Sequence, residues 1–170
     1  MKRIFFNPPM MLLIGATAGA AARFLDDTNF MLDDMASRIM VWVAACTFIA
    51  LMAEGVKQAA ALVACFCVTM VPAYYGMWYF LAHFFGTEEP PLILVIGWGI
   101  AAVLSPLFGI LGFKTRYSGI YPFMLRPLII AVPLAVTLIM FGAPNISDYV
   151  FTTALVYMLF IKKLGRVYTP

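Results

Sequence analysis

Charged and catalytic side chains are scarce in this sequence of 170 residues. Only 11% of the residues are charged and a single one is histidine, whereas 64% are hydrophobic. An ordinary soluble domain has about half apolar and a quarter charged residues, so the composition excludes a soluble fold of the usual kind. Asp and Glu are missing from the interiors of the apolar runs. Their absence argues against an ion-coupled pump, a membrane protease and a phosphotransferase.

Cysteine is rare, and motifs for metal or phosphate chemistry are missing. Cys46, Cys65 and Cys67 lie inside apolar runs, where a thiol behaves as a small hydrophobe, and an odd number argues against a disulfide framework. Cys65 and Cys67 are two residues apart, so on a helix they point about 200° from each other and cannot share a metal. The sequence has no phosphate-binding loop and no HExxH or GxSxG motif. We therefore predict no metal and no cofactor.

The charges that are present fall into short gaps between the apolar runs, and their sign alternates from gap to gap. Because basic residues are retained on the cytoplasmic side of a membrane, the alternation predicts a multi-pass protein with both termini in the cytoplasm. A spanning helix needs roughly 20 apolar residues. The predicted fold is one all-α membrane domain over residues 1–170 with short loops and six transmembrane helices, at about 9–24, 36–53, 59–85, 92–113, 120–141 and 147–161. The net charge of +3 then reflects topology, and no nucleic-acid partner is expected because no basic stripe with interleaved aromatics occurs.

Small residues at helical spacing predict where the helices pack closely. Helix one carries Gly15 and Gly19, and helix four carries Pro106, Gly109 and Gly112. Glycines one turn apart let a neighbouring backbone approach, so we assign these residues to helix packing, within the chain rather than between chains.

The connection between helices one and two holds four aspartates between residues 26 and 34, with Arg23 and Arg38 on either side. One interpretation is a site for a metal or a cationic ligand, since clustered carboxylates suit hard cations. The favoured one is structural: Asp34 caps helix two, and the arginines pair with neighbouring aspartates at the outer surface. By the same reasoning, Ser147 or Asp148 is predicted to cap helix six.

Arg126 leaves two alternatives for helix five. If the helix starts near Ile120, Arg126 lies more than two turns inside the bilayer, where an ionisable residue suggests function. If Pro127 opens the helix, Arg126 lies at the inner interface. We favour the second alternative, because proline suits a first helical position and the residue before it disfavours the helical region.

Aromatic residues gather near the end of helix three, at Tyr74, Tyr75 and Trp78, followed by His83. An aromatic belt at the membrane interface explains most of them. They also make the best candidate for a ligand pocket, opening outward between helices one, three and four with Arg23 and Arg38 nearby. His83 could pair with Glu88 or Glu89 as an acid–base pair or a pH-sensitive gate, although an interfacial histidine is the commoner case.

Two resemblances to known families follow from these residues. Met70 and the pair Tyr74-Tyr75, together with the stretch Ser105-Pro106-Leu-Phe-Gly109-Ile-Leu-Gly112, resemble a family of small six-helix bacterial membrane proteins of uncharacterised activity. That resemblance implies a protein of the bacterial plasma membrane and carries over no catalytic residue. The size and helix count are also similar, at the level of fold, to the substrate-binding membrane subunits of energy-coupling vitamin transporters.

Three functional hypotheses fit these observations. The leading one is a non-catalytic membrane subunit that associates with a transporter of the ABC type or another membrane complex and offers a pocket for a small or lipidic ligand. The second is a standalone transporter or flippase that works as a homo-oligomer. The third is a membrane-embedded lipid-modifying enzyme or protease that uses His83 with Glu88 or Glu89.

Overall fold

The computed structural model describes residues 7–27 and 38–161, and this part of the chain is helical without a strand. It contains the six predicted helices. They are α1 (Pro8–Asp27), α2 (Ile39–Met52), α3 (Val56–Phe85), α4 (Leu92–Lys114), α5 (Ile120–Phe141) and α6 (Ile146–Val156), the last continued by a π-helical segment, Tyr157–Ile161.

Four of these helices, α1, α3, α4 and α5, are long and apolar enough to cross a membrane, whereas α2 and α6 are shorter apolar helices. Their outward faces remain apolar. Ile93 and Val103 of α4 are 74% and 73% exposed, and Ile139 of α5 is 84% exposed. Faces of this kind need a non-aqueous cover, either lipid or another protein.

The starts of α2 and α3 differ from the prediction. Arg38 has extended backbone angles, so α2 begins at Ile39 rather than at 36; the predicted cap, Asp34, lies outside the described residues. Helix α3 begins three residues early, at Val56. The Gln58 side chain in its first turn accepts a hydrogen bond from the Glu54 N–H, 2.6 Å long, which joins the connection from α2 to the start of α3.

Helix α5 begins at Ile120, so the favoured start at Pro127 is wrong and Pro127 lies inside the helix. A proline inside a helix removes one backbone hydrogen bond. Apolar helices tolerate this when other groups satisfy the freed carbonyl. In helix α4, Pro106 leaves the carbonyl of Ala102 without its backbone donor. The Ser105 hydroxyl donates to that carbonyl instead, over 2.7 Å.

Helix α6 is capped by Asn145, not by Ser147 or Asp148 as predicted. The Asn145 side chain accepts a hydrogen bond from the Asp148 N–H, and the Asp148 carboxylate accepts one from the Asn145 N–H, 3.0 Å long. This is a capping box, in which the acidic residue occupies the third helical position instead of the cap itself.

The chain forms two compact units. Unit one comprises residues 1–37 and 61–106, and unit two comprises residues 38–60 and 107–170. In unit one, α1 and α3 approach closely at Gly15 and Gly19. A Cβ at Gly15 would lie within 3.0 Å of the Phe66 carbonyl, and one at Gly19 would lie equally close to the Met70 backbone. The two glycines therefore pack inside the chain, against the backbone of α3.

The apolar core of unit two joins α2, α5 and α6. Three buried residues form its centre, and five partly buried side chains pack against them. The central residues are Met40, Ala44 and Leu155, and the surrounding ones are Val43, Ile130, Leu134, Phe151 and Met158. The glycines of the second half of α4, Gly109 and Gly112, lie elsewhere in this unit. A Cβ at Gly109 would come 2.6 Å from the Ala59 carbonyl, and one at Gly112 would come 2.9 Å from the Ala50 Cβ.

Candidate functional site

Unit one brings together three aromatic rings of α3 and two charged side chains of α1, which we call the aromatic cluster: Arg23, Asp26, Tyr74, Tyr75 and Trp78. On α3, Trp78 lies one turn beyond the tyrosine pair. It stacks on Tyr75 with a centroid distance of 6.0 Å and meets Tyr74 edge to face at 6.2 Å. The guanidinium carbon of Arg23 lies 4.1 Å from the centre of the Trp78 ring. This cation–π contact contributes about 0.5–2 kcal/mol, depending on how far water is excluded.

Hydrogen bonds fix two of the three rings. The Tyr74 hydroxyl donates to the Asp26 carboxylate over 2.9 Å, which ties α3 to the end of α1. The Trp78 N–H donates to the carbonyl of Glu88 over 2.7 Å, which ties α3 to the segment that follows it. Tyr74 and Trp78 therefore keep their apolar ring surfaces within the cluster while the polar edge of each ring is hydrogen-bonded.

The predicted ligand-site residues divide into three groups. Arg23, Tyr74, Tyr75 and Trp78 lie together in unit one. His83 is exposed and lies edge to face with Phe84, 5.1 Å between the ring centres. Arg38 belongs to unit two.

Sequence reasoning missed the role of Asp26, because it assigned this residue to the loop. Helix α1 continues to Asp27. Asp26 therefore lies one turn after Arg23 on the same helix face. Extending the helical periodicity by one turn would have found the pair.

Arg38 pairs with Asp148 in unit two; the loop aspartates Asp33 and Asp34, which the favoured interpretation offered as its partners, lie outside the described residues. The Arg38 Nη1 to Asp148 Oδ2 distance is 3.7 Å, and the two side chains are 9% and 0% exposed. Asp148 is the same residue that completes the capping box of α6. One carboxylate thus holds both the start of α6 and the residue that precedes α2.

Two further arginines hold helix ends in unit two. Arg126 is buried, and its guanidinium donates to the Thr115 carbonyl over 2.9 and 3.2 Å and to the Tyr117 carbonyl over 3.1 Å. Arg116 donates to the carbonyl of Ala53, the C-cap of α2. Burial lowers the pKa of the Arg116 guanidinium. Positive charge at a helix C-terminus complements the helix dipole and satisfies carbonyls that lack an intrahelical donor.

Arg126 therefore has a structural partner in the turn that precedes its own helix. Side chains on a helix lean toward its N-terminus, so Arg126 extends back along α5 and its head group lies at the level of residues 115–117. The alternatives drawn from the sequence treated the position of its Cα as the position of its charge, whereas the guanidinium bonds to carbonyls of residues that precede α5.

Within residues 7–27 and 38–161, no group of three or more His, Cys, Asp or Glu side chains could hold a metal ion. Cys46 and Cys65 are half-buried and Cys67 is buried, and none of the three forms a disulfide within the described residues. Asp33 and Asp34 of the proposed carboxylate site lie outside the described residues.

Comparison with protein families, with curated proteins and with solved structures gave no match. Both family resemblances drawn from the sequence therefore stay predictions.

Proposed function

We propose that this chain is a non-catalytic integral membrane subunit, which associates with a larger membrane protein and binds a small or lipidic ligand at the aromatic cluster. One observation carries the proposal: four charged side chains of the described segments bond at helix ends. Asp148, Arg116 and Arg126 bond to caps and terminal carbonyls, and Asp26 bonds to Tyr74. Side chains used in this way support assembly and binding rather than chemistry.

The proposed location is the bacterial inner membrane, with both termini in the cytoplasm. The four long apolar helices support a membrane location, and the alternating charge supports the orientation. Fusion of alkaline phosphatase or green fluorescent protein after residue 55, 88, 117, 143 or 170 tests the orientation. We expect cytoplasmic fluorescence after 55, 117 and 170 and phosphatase activity after 88 and 143; the reverse pattern refutes it.

Exposed glycines support a protein partner. Gly97 on α4 and Gly76 on α3 are exposed, and a Cβ at either would meet nothing within 4 Å. A glycine on a lipid-facing helix surface gains nothing from its small size, whereas at an interface it lets a second helix come close. The partner would be a transporter of the ABC type or another large membrane protein, and a second copy of the chain is the alternative.

The test is extraction of the tagged protein from its native membrane in polymer nanodiscs, followed by measurement of its mass and bound proteins. Gly97→Leu places a large side chain on the proposed interface, and Val103→Leu is the matched control on the same helix. We expect a stoichiometric partner that is lost with Gly97→Leu and kept with Val103→Leu. A monomer with only lipid around it contradicts the proposal, and a homo-oligomer that Gly97→Leu disrupts favours the standalone transporter.

The ligand is tested separately, by native mass spectrometry of the nanodisc-extracted protein. Trp78→Leu removes the ring that the Arg23 guanidinium contacts. Tyr149→Leu is the control, since Tyr149 is an exposed tyrosine of unit two. A bound lipid or small molecule that disappears only with Trp78→Leu supports the aromatic cluster as the site. Equal retention in both variants shows that the cluster only connects α1 and α3.

A further inference from the structure

Unit two contains a layer of buried polar groups at one end of its apolar core. Arg38 and Asp148 belong to this layer as an ion pair. Thr137 of α5 is fully buried, and Thr152 of α6 is half-buried. We call these four residues the polar layer.

Helical spacing places the four residues of the polar layer together. On α5, Thr137 follows Ile130 and Leu134 at the spacing of one helix face, and both of these residues pack on the core that contains Leu155. On α6, Asp148 and Thr152 lie one and two turns before Leu155, again on one face. The connection from α5 to α6 is short, so Thr137 lies at the level of the first two turns of α6.

Three oxygen atoms of the polar layer lack a hydrogen-bond partner within the described protein: Asp148 Oδ1, Thr137 Oγ1 and Thr152 Oγ1. Threonines in helices commonly donate to a carbonyl one turn back. Thr153, the neighbour of Thr152, does so to Tyr149 over 2.8 Å, and Thr69 does so to Cys65 over 2.9 Å. Thr137 and Thr152 do not, so their hydroxyl groups are available to another acceptor.

We propose that these three oxygens bind one internal water molecule. Buried water typically makes about three hydrogen bonds to groups that would otherwise be unsatisfied. Here the water would donate to Asp148 Oδ1 and accept from the hydroxyls of Thr137 and Thr152. An unsatisfied buried polar group costs about 1–3 kcal/mol, so a shared water relieves three such costs at once.

Electrostatics favours water over a cation at this site. The carboxylate of Asp148 already faces Arg38, so the pair has no net charge. Asp148 also lies in the first turn of α6, where the helix dipole presents positive charge. A sodium or potassium ion would add an uncompensated charge in a buried place, which is costly.

The test is whether Thr137→Val lowers or raises the thermal stability of the protein. This substitution keeps the shape of the side chain and removes only the hydroxyl. If Thr137 bonds to the water, we expect the thermal midpoint of the purified protein in detergent to fall by about 2–4 °C. If the hydroxyl is simply unsatisfied, the substitution removes a buried polar group and the midpoint stays or rises, which overturns the proposal.

Three further measurements make the test specific. Thr153→Val is the control, with an expected shift near zero, because Thr153 is exposed. The double variant Thr137→Val/Thr152→Val should lose less than the sum of the single variants, because both hydroxyls share one water; strict additivity contradicts the sharing. A midpoint of the unmodified protein that rises when sodium or potassium replaces choline at constant ionic strength would identify a cation instead.

Discussion

The close contact of α1 with α3 at Gly19 predicts that even an added methyl group destabilises the protein. Gly19→Ala adds one methyl group, which would lie within 3.0 Å of both the carbonyl oxygen and the carbonyl carbon of Met70. Because these atoms are backbone, they cannot rotate aside as a side chain would. Overpacking of this kind costs about 1–3 kcal/mol, whereas alanine stabilises a helix by about 1 kcal/mol relative to glycine.

The control for Gly19→Ala is Gly97→Ala, on α4 of the same unit, where a Cβ meets nothing within 4 Å. Both variants gain the helix propensity of alanine, so the difference between them isolates the steric cost. We expect Gly97→Ala to be as stable as the unmodified protein or more so, and Gly19→Ala to unfold roughly 2–12 °C below Gly97→Ala in a thermal scan in detergent. Equal midpoints would refute the close approach of the two helices.

Three more predictions concern the polar contacts, each measured by thermal unfolding in detergent. Arg126→Met removes charged hydrogen bonds to two carbonyls and should lower the free energy of unfolding by about 1.5–3 kcal/mol. Lys114→Met, the control, loses a ring contact at 5.8 Å and should lower it far less. Equal losses of stability would contradict the capping role of Arg126. Asp148→Ala breaks a buried ion pair and a capping box, and we expect the free energy of unfolding to fall by about 3–5 kcal/mol. A fall below about 1 kcal/mol, as for an exposed pair, would show that the pair is not buried. Trp78→Phe keeps an aromatic ring but removes the N–H donor, so stability should fall by about 0.5–1.5 kcal/mol, and an unchanged midpoint would exclude that bond.

The helices were predictable because the apolar runs and the charges between them repeat on the scale of a membrane span. All six helices are present among the described residues, and most of their bounds lie within three residues of the prediction. The errors occur where a helix end depends on a contact rather than on composition. Asn145, for example, caps α6 although Ser147 and Asp148 are equally suitable by type, since only the backbone geometry determines which side chain faces the open N–H groups.

The candidate site was predictable only where its residues are neighbours on one helix. Tyr74, Tyr75 and Trp78 lie within a single turn and a half of α3, so helical periodicity alone groups them. The pairing of Arg38 with Asp148 joins residues far apart in the chain, and no local pattern identifies such a partner. Sequence reasoning could therefore offer only the nearest aspartates as partners of Arg38.

The shortness of α2 has a consequence for the surrounding lipid, given the proposed membrane location. With 14 residues, α2 is about 21 Å long, whereas the hydrocarbon core of a bilayer is about 30 Å thick. Arg38 precedes this helix, and Arg116 bonds to the carbonyl just after it. Because this helix is shorter than the hydrocarbon core, lipid in direct contact with it adapts by thinning, by several ångströms. A protein that locally thins its membrane lowers the barrier for a lipid headgroup to cross at that place and favours membranes whose lipids have short acyl chains.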